Sequence, residues 1–69
     1  MSKIERVENV LLNNNTSPGL TAKQVARKAR VDVATVHRRV SDLRNLYGMT
    51  IYSNYRIVNG RKQLFYRAA

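Results

Sequence analysis

The segment TAKQVARKARVDVATVHRRVSDLRNLYG, residues 21–48, contains two runs of helical periodicity separated by only three residues, RVD. Apolar side chains recur in each run at the intervals that place them on one face of an amphipathic helix. Ala26 and Ala29 give the first run a narrow face suited to close approach of a second helix. We therefore expect a short helix at about residues 22–29 and a longer one at about residues 33–47.

Both helices have sequence signals for their first turns. Thr21 can cap the first helix, and Gln24 follows three positions later, which is the spacing of a capping box. Asp32 can cap the second helix, where its carboxylate also meets the positive end of the helix dipole. Gly48 fits the position just after the second helix, since glycine readily adopts a left-handed backbone conformation.

A further helix is expected before this pair. In SKIERVENVLLNNN, the positions that share one helical face are Ile4, Val7, Val10 and Leu11. Ser2 and Glu5 have the capping-box spacing. We expect this helix at about residues 3–14, ending within NNNTSPG, because the asparagines compete for backbone hydrogen bonds and Pro-Gly favours a turn.

After Gly48 the periodicity changes from helical to alternating. Residues 49–67, MTIYSNYRIVNGRKQLFYR, are rich in β-branched and aromatic side chains and have Asn-Gly in their middle. Asn-Gly between alternating runs is the strongest short-range hairpin signal, because both residues tolerate positive φ. We expect a hairpin at about residues 50–67 in which Val58 pairs with Arg61, whereas a longer, bulged loop would shift the register and swap the faces.

The two-residue turn sorts the hairpin side chains onto two faces. The more apolar face holds Ile51, Tyr55, Ile57, Leu64 and Tyr66. The other face holds Tyr52, Asn54, Arg56, Arg61, Gln63 and Arg67, with Val58 and Phe65 as apolar exceptions. The aromatic residues fit two roles: core packing, which so small a domain needs, or a stacking platform for single-stranded nucleic acid.

The charge of the chain is unevenly distributed. Thirteen Lys and Arg face four Asp and Glu among 69 residues, giving a formal net charge of +9. Residues 1–8 are neutral, so residues 9–69 carry the whole excess. Such an excess favours a polyanion as partner, and nucleic acid above all, over a surface that is merely basic.

Residue types that support catalysis or metal binding are scarce. The absence of cysteine excludes a disulfide framework and a cysteine-ligated zinc site, and the single histidine leaves too few ligands for any metal. No paired carboxylates, nucleophile–base set or glycine-rich phosphate loop can be assembled. We therefore expect neither an enzyme nor a cofactor nor a small-molecule ligand. No long apolar run or signal-peptide pattern occurs, so we expect a cytoplasmic, nucleoid-associated protein without a membrane partner.

The closely spaced pair of helices resembles the helix-turn-helix of bacterial and phage DNA-binding proteins. Ala26 stands where that motif has a small residue against its second helix, and Val31 and Val36 stand at its buried positions. Arg30 departs from the glycine usual in the turn. With the hairpin that follows, the chain is similar to small winged helix-turn-helix domains common in phage genomes. The resemblance implies an α+β fold, a three-helix core followed by a C-terminal β-hairpin wing, in one domain over residues 1–69.

The resemblance implies that the longer helix of the pair is a recognition helix, which enters the major groove of DNA. At about 100° per residue, the side opposite Val36 begins with small and basic residues. Its members, with their flanking residues, are Ala34, Thr35, His37, Arg38 and Ser41. An arginine can bond guanine O6 and N7 together, so Arg38 is the strongest candidate for base readout.

The other candidate DNA contacts are basic residues outside this helix. Lys23, Arg27 and Lys28 lie on the shorter helix, whose first turn crosses the phosphate backbone in this geometry. Arg61 and Lys62 lie at the hairpin tip, from which they can reach phosphates or an adjacent groove. All five also fit a plainer role, since charges are common on solvated helix faces and basic residues on edge strands block aggregation.

These features favour a sequence-preferring double-stranded DNA-binding protein, a small transcriptional regulator of phage or prokaryotic type. A single module of this size covers few base pairs, so useful specificity suggests a homodimer. Two other functions stay open at this point. One is a winged helix that docks on a host enzyme such as a polymerase, and the other is nonspecific coating of nucleic acid.

Overall fold

Three helices and a three-stranded antiparallel sheet make up an α+β fold. The computed structural model describes residues 1–69. The helices are α1 (Lys3–Asn13), α2 (Ala22–Ala29) and α3 (Val33–Asn45), and the strands are β1 (Leu20–Thr21), β2 (Ile51–Val58) and β3 (Arg61–Ala68). The three expected helices and the expected hairpin are therefore all present, and β1 is an addition that the sequence pattern did not indicate.

The helices begin where the capping signals place them. Ser2 and Thr21 both form complete capping boxes, with Glu5 and Gln24 as their respective partners. The carboxylate of Asp32 accepts a backbone hydrogen bond at the start of α3. These side chains satisfy N–H groups that have no partner within a first helical turn, so the caps fix each start locally.

Arg30 makes the turn between α2 and α3 in the left-handed conformation. Its φ is 59° and its ψ is 47°, and its N–H donates to the Ala26 carbonyl. The Val31 N–H donates to the same carbonyl at 3.0 Å. The helix-turn-helix motif that the chain resembles usually has glycine at this position. The reason is that the left-handed conformation costs a residue with a side chain about 1–2 kcal/mol. The chain keeps the turn geometry with an arginine.

The core consists of buried apolar residues from all three helices and from the hairpin. Its members are Val7, Leu11, Val25, Ala26, Ala29, Val36, Val40, Leu43, Ile51, Tyr66 and Ala68, and no polar or charged side chain is buried. The apolar seam expected along α3 faces inward, and Val31 is half-buried against the core.

The hairpin has the register that the Asn-Gly turn predicts. Val58 lies opposite Arg61, and the turn residues have φ values of 52° and 76°. The sheet order is β1-β3-β2, so β3 is central and β2 has one free edge. Gly19, with a φ of 99°, leads into β1, and a Cβ there would collide with the backbone carbonyl of Tyr66.

Helix α3 ends slightly earlier than its sequence pattern indicates. The helical row of Val36, Val40 and Leu43 predicts that Tyr47 continues the buried seam. The helix instead ends at Asn45, and Tyr47 is 65% exposed. The Met49 N–H donates to the Leu43 carbonyl at 3.0 Å, and Gly48 has a φ of 67°. The chain leaves the helix at this point, and β2 begins at Ile51. Helical periodicity does not mark this end, because it reports only which side chains share a face.

The apolar hairpin face is only partly covered. Ile51 and Tyr66 are buried and Leu64 packs against the core, as expected for an inward face. Tyr55 and Ile57 share that face but are 62% and 71% exposed. The hairpin extends past the helices, which are too short to cover its outer half.

Candidate nucleic-acid interface

The side of α3 that faces away from the core is open. Ala34, Arg38, Ser41 and Asn45 are exposed, whereas Val36 on the opposite side is fully buried. This is the distribution that rotation of about 100° per residue predicts. A side of α3 that begins with small and basic residues is therefore accessible to an external partner.

The guanidinium of Arg38 has no partner within the chain. The only ion pair joins Arg39 to Asp42 at 2.9 Å, with both side chains half-buried. Arg39 lies beside the buried Val36 and Val40 along α3 and is only half-buried. Arg38 consequently keeps all of its N–H donors for an acceptor outside the protein.

Thr35 is half-buried and belongs to the cap of α3. Its N–H donates to Asp32 Oδ1 at 2.7 Å. Hydrogen bonds from the Thr35 side chain and backbone lower the pKa of Asp32 below its ordinary value, and the positive charges of Lys3 and Arg38 add to the effect. The capping carboxylate is therefore ionised at neutral pH, and Thr35 is held at the start of the exposed face of α3.

His37 is joined to the sheet rather than free on the surface of α3. Its Nδ1 lies 2.7 Å from the Tyr66 hydroxyl in a hydrogen bond, and the two rings meet edge to face with centroids 5.7 Å apart. Burial raises the pKa of the Tyr66 phenol, which stays protonated. Whichever atom donates, Nε2 is the ring nitrogen left for an external ligand.

One cavity brings three elements together beside α3. It has a volume of ≈ 280 Å³, and among its lining residues are Lys23 from the first turn of α2, His37 from α3 and Gln63 from β3. Lys23, His37 and Gln63 thus border one recess together with the apolar Ala22 and Leu64. The polar side chains among them are of the types that bond phosphate and sugar oxygens.

The remaining basic residues of α2 do not join that cavity. Lys28 lines a different recess of ≈ 360 Å³, next to α1, together with Arg6 and Arg30. Arg27 is exposed and lines neither recess. The structure therefore groups Lys23 with the α3 residues and separates Lys28 from them.

The two basic residues at the hairpin tip point to opposite faces. Arg61 pairs with Val58 and Lys62 with Ile57, and successive residues of a strand alternate in direction. The Lys62 ammonium lies 4.4 Å from the centroid of the Tyr55 ring, within range of a cation–π interaction. Both residues are exposed, so the tip presents positive charge on each side of the sheet.

Arg44 has a structural role that sequence reasoning missed. Its Nε donates to the Ile51 carbonyl at 3.0 Å, and its Nη2 donates to the Ser53 hydroxyl at 2.6 Å. These bonds fix the base of the hairpin against α3. The position of Arg44 in the sequence could have indicated this role. Arg44 follows Val36 by eight residues, which places it about 80° around the helix from the buried side and therefore near the core.

The chain matches no protein-family model, no curated protein and no solved structure. None of its helices has the length and apolar character needed to cross a membrane. No group of three or more His, Cys, Asp or Glu side chains is placed to hold a metal ion.

Proposed function

We propose that the chain is a winged helix-turn-helix protein that binds double-stranded DNA with sequence preference, as a small transcriptional regulator of phage or prokaryotic type. In this proposal α3 enters the major groove, and the β2–β3 hairpin is the wing. Arg38 reads a base, while Lys23, Arg27 and Lys28 of α2 and Arg61 and Lys62 of the hairpin contact the backbone or an adjacent groove.

The observation that carries the proposal is the unpartnered guanidinium of Arg38 on the exposed face of α3. A bidentate contact from such a group to guanine O6 and N7 discriminates between bases by about 1–3 kcal/mol. The net charge of +9 supports the same partner, because basic side chains that neutralise phosphates release counterions. The recess between Lys23 and His37 supports a backbone contact beside the groove.

The test is selection of binding sites from a random pool of duplexes, followed by titration of the selected site at several salt concentrations. We expect one enriched motif, and a palindromic motif would indicate a homodimer. The logarithm of the binding constant should fall linearly with the logarithm of the salt concentration. A slope near zero, or no enrichment over random duplexes, would contradict the proposal.

A second candidate function is docking on a protein partner such as a polymerase. The exposed apolar residues in the outer half of the hairpin, Tyr55 and Ile57, favour it, because solvent-exposed apolar groups mark interaction surfaces when they cluster. The double variant Arg38→Ala with Arg61→Ala distinguishes the two functions. DNA binding is lost in this variant under the first, whereas partner capture survives under the second.

A further inference from the structure

One face of the sheet is left uncovered by the helices. Ile51, Tyr66 and Ala68 point toward the helices and are buried. The alternate residues of both strands point the opposite way, and we call them the outer sheet face. They are Tyr52, Asn54, Arg56 and Val58 in β2, and Arg61, Gln63, Phe65 and Arg67 in β3. This face is a surface distinct from the exposed side of α3.

The outer sheet face carries two aromatic rings that the core does not use. Tyr52 is 45% exposed, and Phe65 is half-buried but belongs neither to the core nor to the apolar residues packed against it. Tyr52 lies opposite Arg67 and Phe65 lies opposite Asn54, so the two residues occupy diagonal positions, whose Cα atoms are about 7–8 Å apart in a sheet. Two rings on one open sheet face form a platform on which unpaired bases can stack.

The charged side chains around these rings are all positive. Arg56, Arg61 and Arg67 belong to the outer sheet face, and the chain has no acidic residue after Asp42. The Arg67 guanidinium lies 5.3 Å from the centroid of the Tyr52 ring. Arg56 and Arg67 also line an open groove of ≈ 700 Å³ beside β2. The face thus combines stacking rings with positive charges, as surfaces that bind single strands do.

We propose that the outer sheet face binds single-stranded DNA. Bases stack on Tyr52 and Phe65, the three arginines neutralise phosphates, and the amides of Asn54 and Gln63 meet base edges. A second copy of the chain is disfavoured because like charges would face each other. The choice of DNA over RNA rests on the proposed function, which already places the chain on DNA.

The experiment is titration of the whole chain with a fluorescently labelled single strand of about 12 nucleotides, followed by anisotropy. We expect Tyr52→Ala to weaken binding by about 5-fold or more, because a stacked base is lost. Tyr52→Phe keeps the ring and should bind as the unchanged chain does. Tyr47→Ala removes an exposed tyrosine outside the face and is the matched control, with no expected effect.

The duplex selected for the proposed function separates this site from α3. Tyr52→Ala should leave duplex binding unchanged, and Arg38→Ala should leave single-strand binding unchanged. Arg56→Gln supplies a second variant that keeps both rings, and it should reduce the salt dependence of single-strand binding by about one phosphate contact. Circular dichroism of each variant verifies that it is folded.

Three outcomes overturn the inference. One is equal single-strand affinity in Tyr52→Ala and the unchanged chain. Another is an equal loss in Tyr52→Ala and Tyr47→Ala. The third is tighter binding of an RNA strand of the same sequence, or of an acidic peptide, because the surface would then serve a different partner.

Discussion

Arg38 and Arg44 lie on the same helix and have opposite surroundings. Arg38 is exposed and has no intramolecular partner, whereas Arg44 is half-buried and donates to Ile51 and Ser53. The Nε and Nη2 donors of Arg44 are engaged within the fold, whereas no donor of the Arg38 guanidinium is. The proposed base readout therefore depends on Arg38.

The cap of α3 makes stability depend on pH at the residue Asp32. Hydrogen bonds from Thr35 lower the pKa of Asp32 in the folded chain below its ordinary value of 3.8. A carboxylate with a lowered folded pKa stabilises the fold above its unfolded pKa, and this stabilisation is lost as pH falls through the folded pKa. Asparagine caps helices as well as aspartate does but does not titrate.

When the pH is lowered from about 5 to about 2, we therefore expect the melting temperature of Asp32→Asn to fall less than that of the unchanged chain. Thermal melts followed by circular dichroism at both pH values measure the difference. Glu8→Gln removes the same charge outside any cap and is the control. Equal losses in Asp32→Asn and the unchanged chain would show that the cap does not contribute.

Gly19 is required by close packing as well as by its backbone conformation. Its φ is 99°, and an added Cβ would overlap the Tyr66 carbonyl, whereas Gly48, with a φ of 67°, has open space around it. We expect Gly19→Ala to reduce the free energy of unfolding by about 1–3 kcal/mol more than Gly48→Ala does. Urea unfolding of both variants gives the comparison, and similar losses would contradict the role of the collision.

At the scale of elements, two residues of α3 attach the helix to neighbouring positions of the sheet. Arg44 bonds to Ile51 and Ser53 in β2, and His37 bonds to Tyr66, which lies opposite Ser53 near the end of β3. A hairpin whose outer half projects beyond the helices depends on such attachments for its direction. The position of the hairpin relative to the exposed side of α3 is thus set by side chains of α3 itself.

Removal of the Arg44 attachment should destabilise the hairpin first. Hydrogen bonds to charged groups contribute about 1.5–3 kcal/mol, so we expect Arg44→Ala to lower the free energy of unfolding by about that amount. Amide hydrogen exchange should speed up most in β2. Arg56→Ala removes an exposed arginine of the same hairpin and should change stability little. Unchanged exchange in β2 of Arg44→Ala would count against the attachment.

At the scale of the whole molecule, positive charge is poorly compensated. The net charge is +9 and the structure contains one ion pair, between Arg39 and Asp42. Folding brings these like charges closer together, and salt screens their repulsion. The charge that favours a polyanionic partner therefore also weakens the isolated fold.

We expect the melting temperature of the free chain to rise as sodium chloride increases from about 0.02 M to about 0.3 M. Binding of the selected duplex should weaken over the same range, because counterion release then contributes less. Thermal melts and anisotropy titrations in matched buffers test both. A melting temperature that falls with salt would mean that attractive pairs dominate the electrostatics.

The sequence by itself determined the features that depend on near neighbours. Helix starts follow from caps such as Thr21 and Asp32, whose partners lie three residues away. The hairpin register follows from Asn59-Gly60, which both adopt positive φ. The exposed and buried sides of α3 follow from its 3.6-residue period. Each of these is decided within a few residues.

The tertiary structure alone decided what depends on distant partners. Tyr47 lies beyond the end of α3 and is exposed, and β1 forms by pairing with β3, a strand distant in the sequence. The bond of His37 to Tyr66 and the exposure of Tyr52 likewise depend on where the sheet meets the helices. A local pattern states which way a side chain points within its element. Only packing of the elements determines what lies in that direction, because burial is a property of distances across the fold.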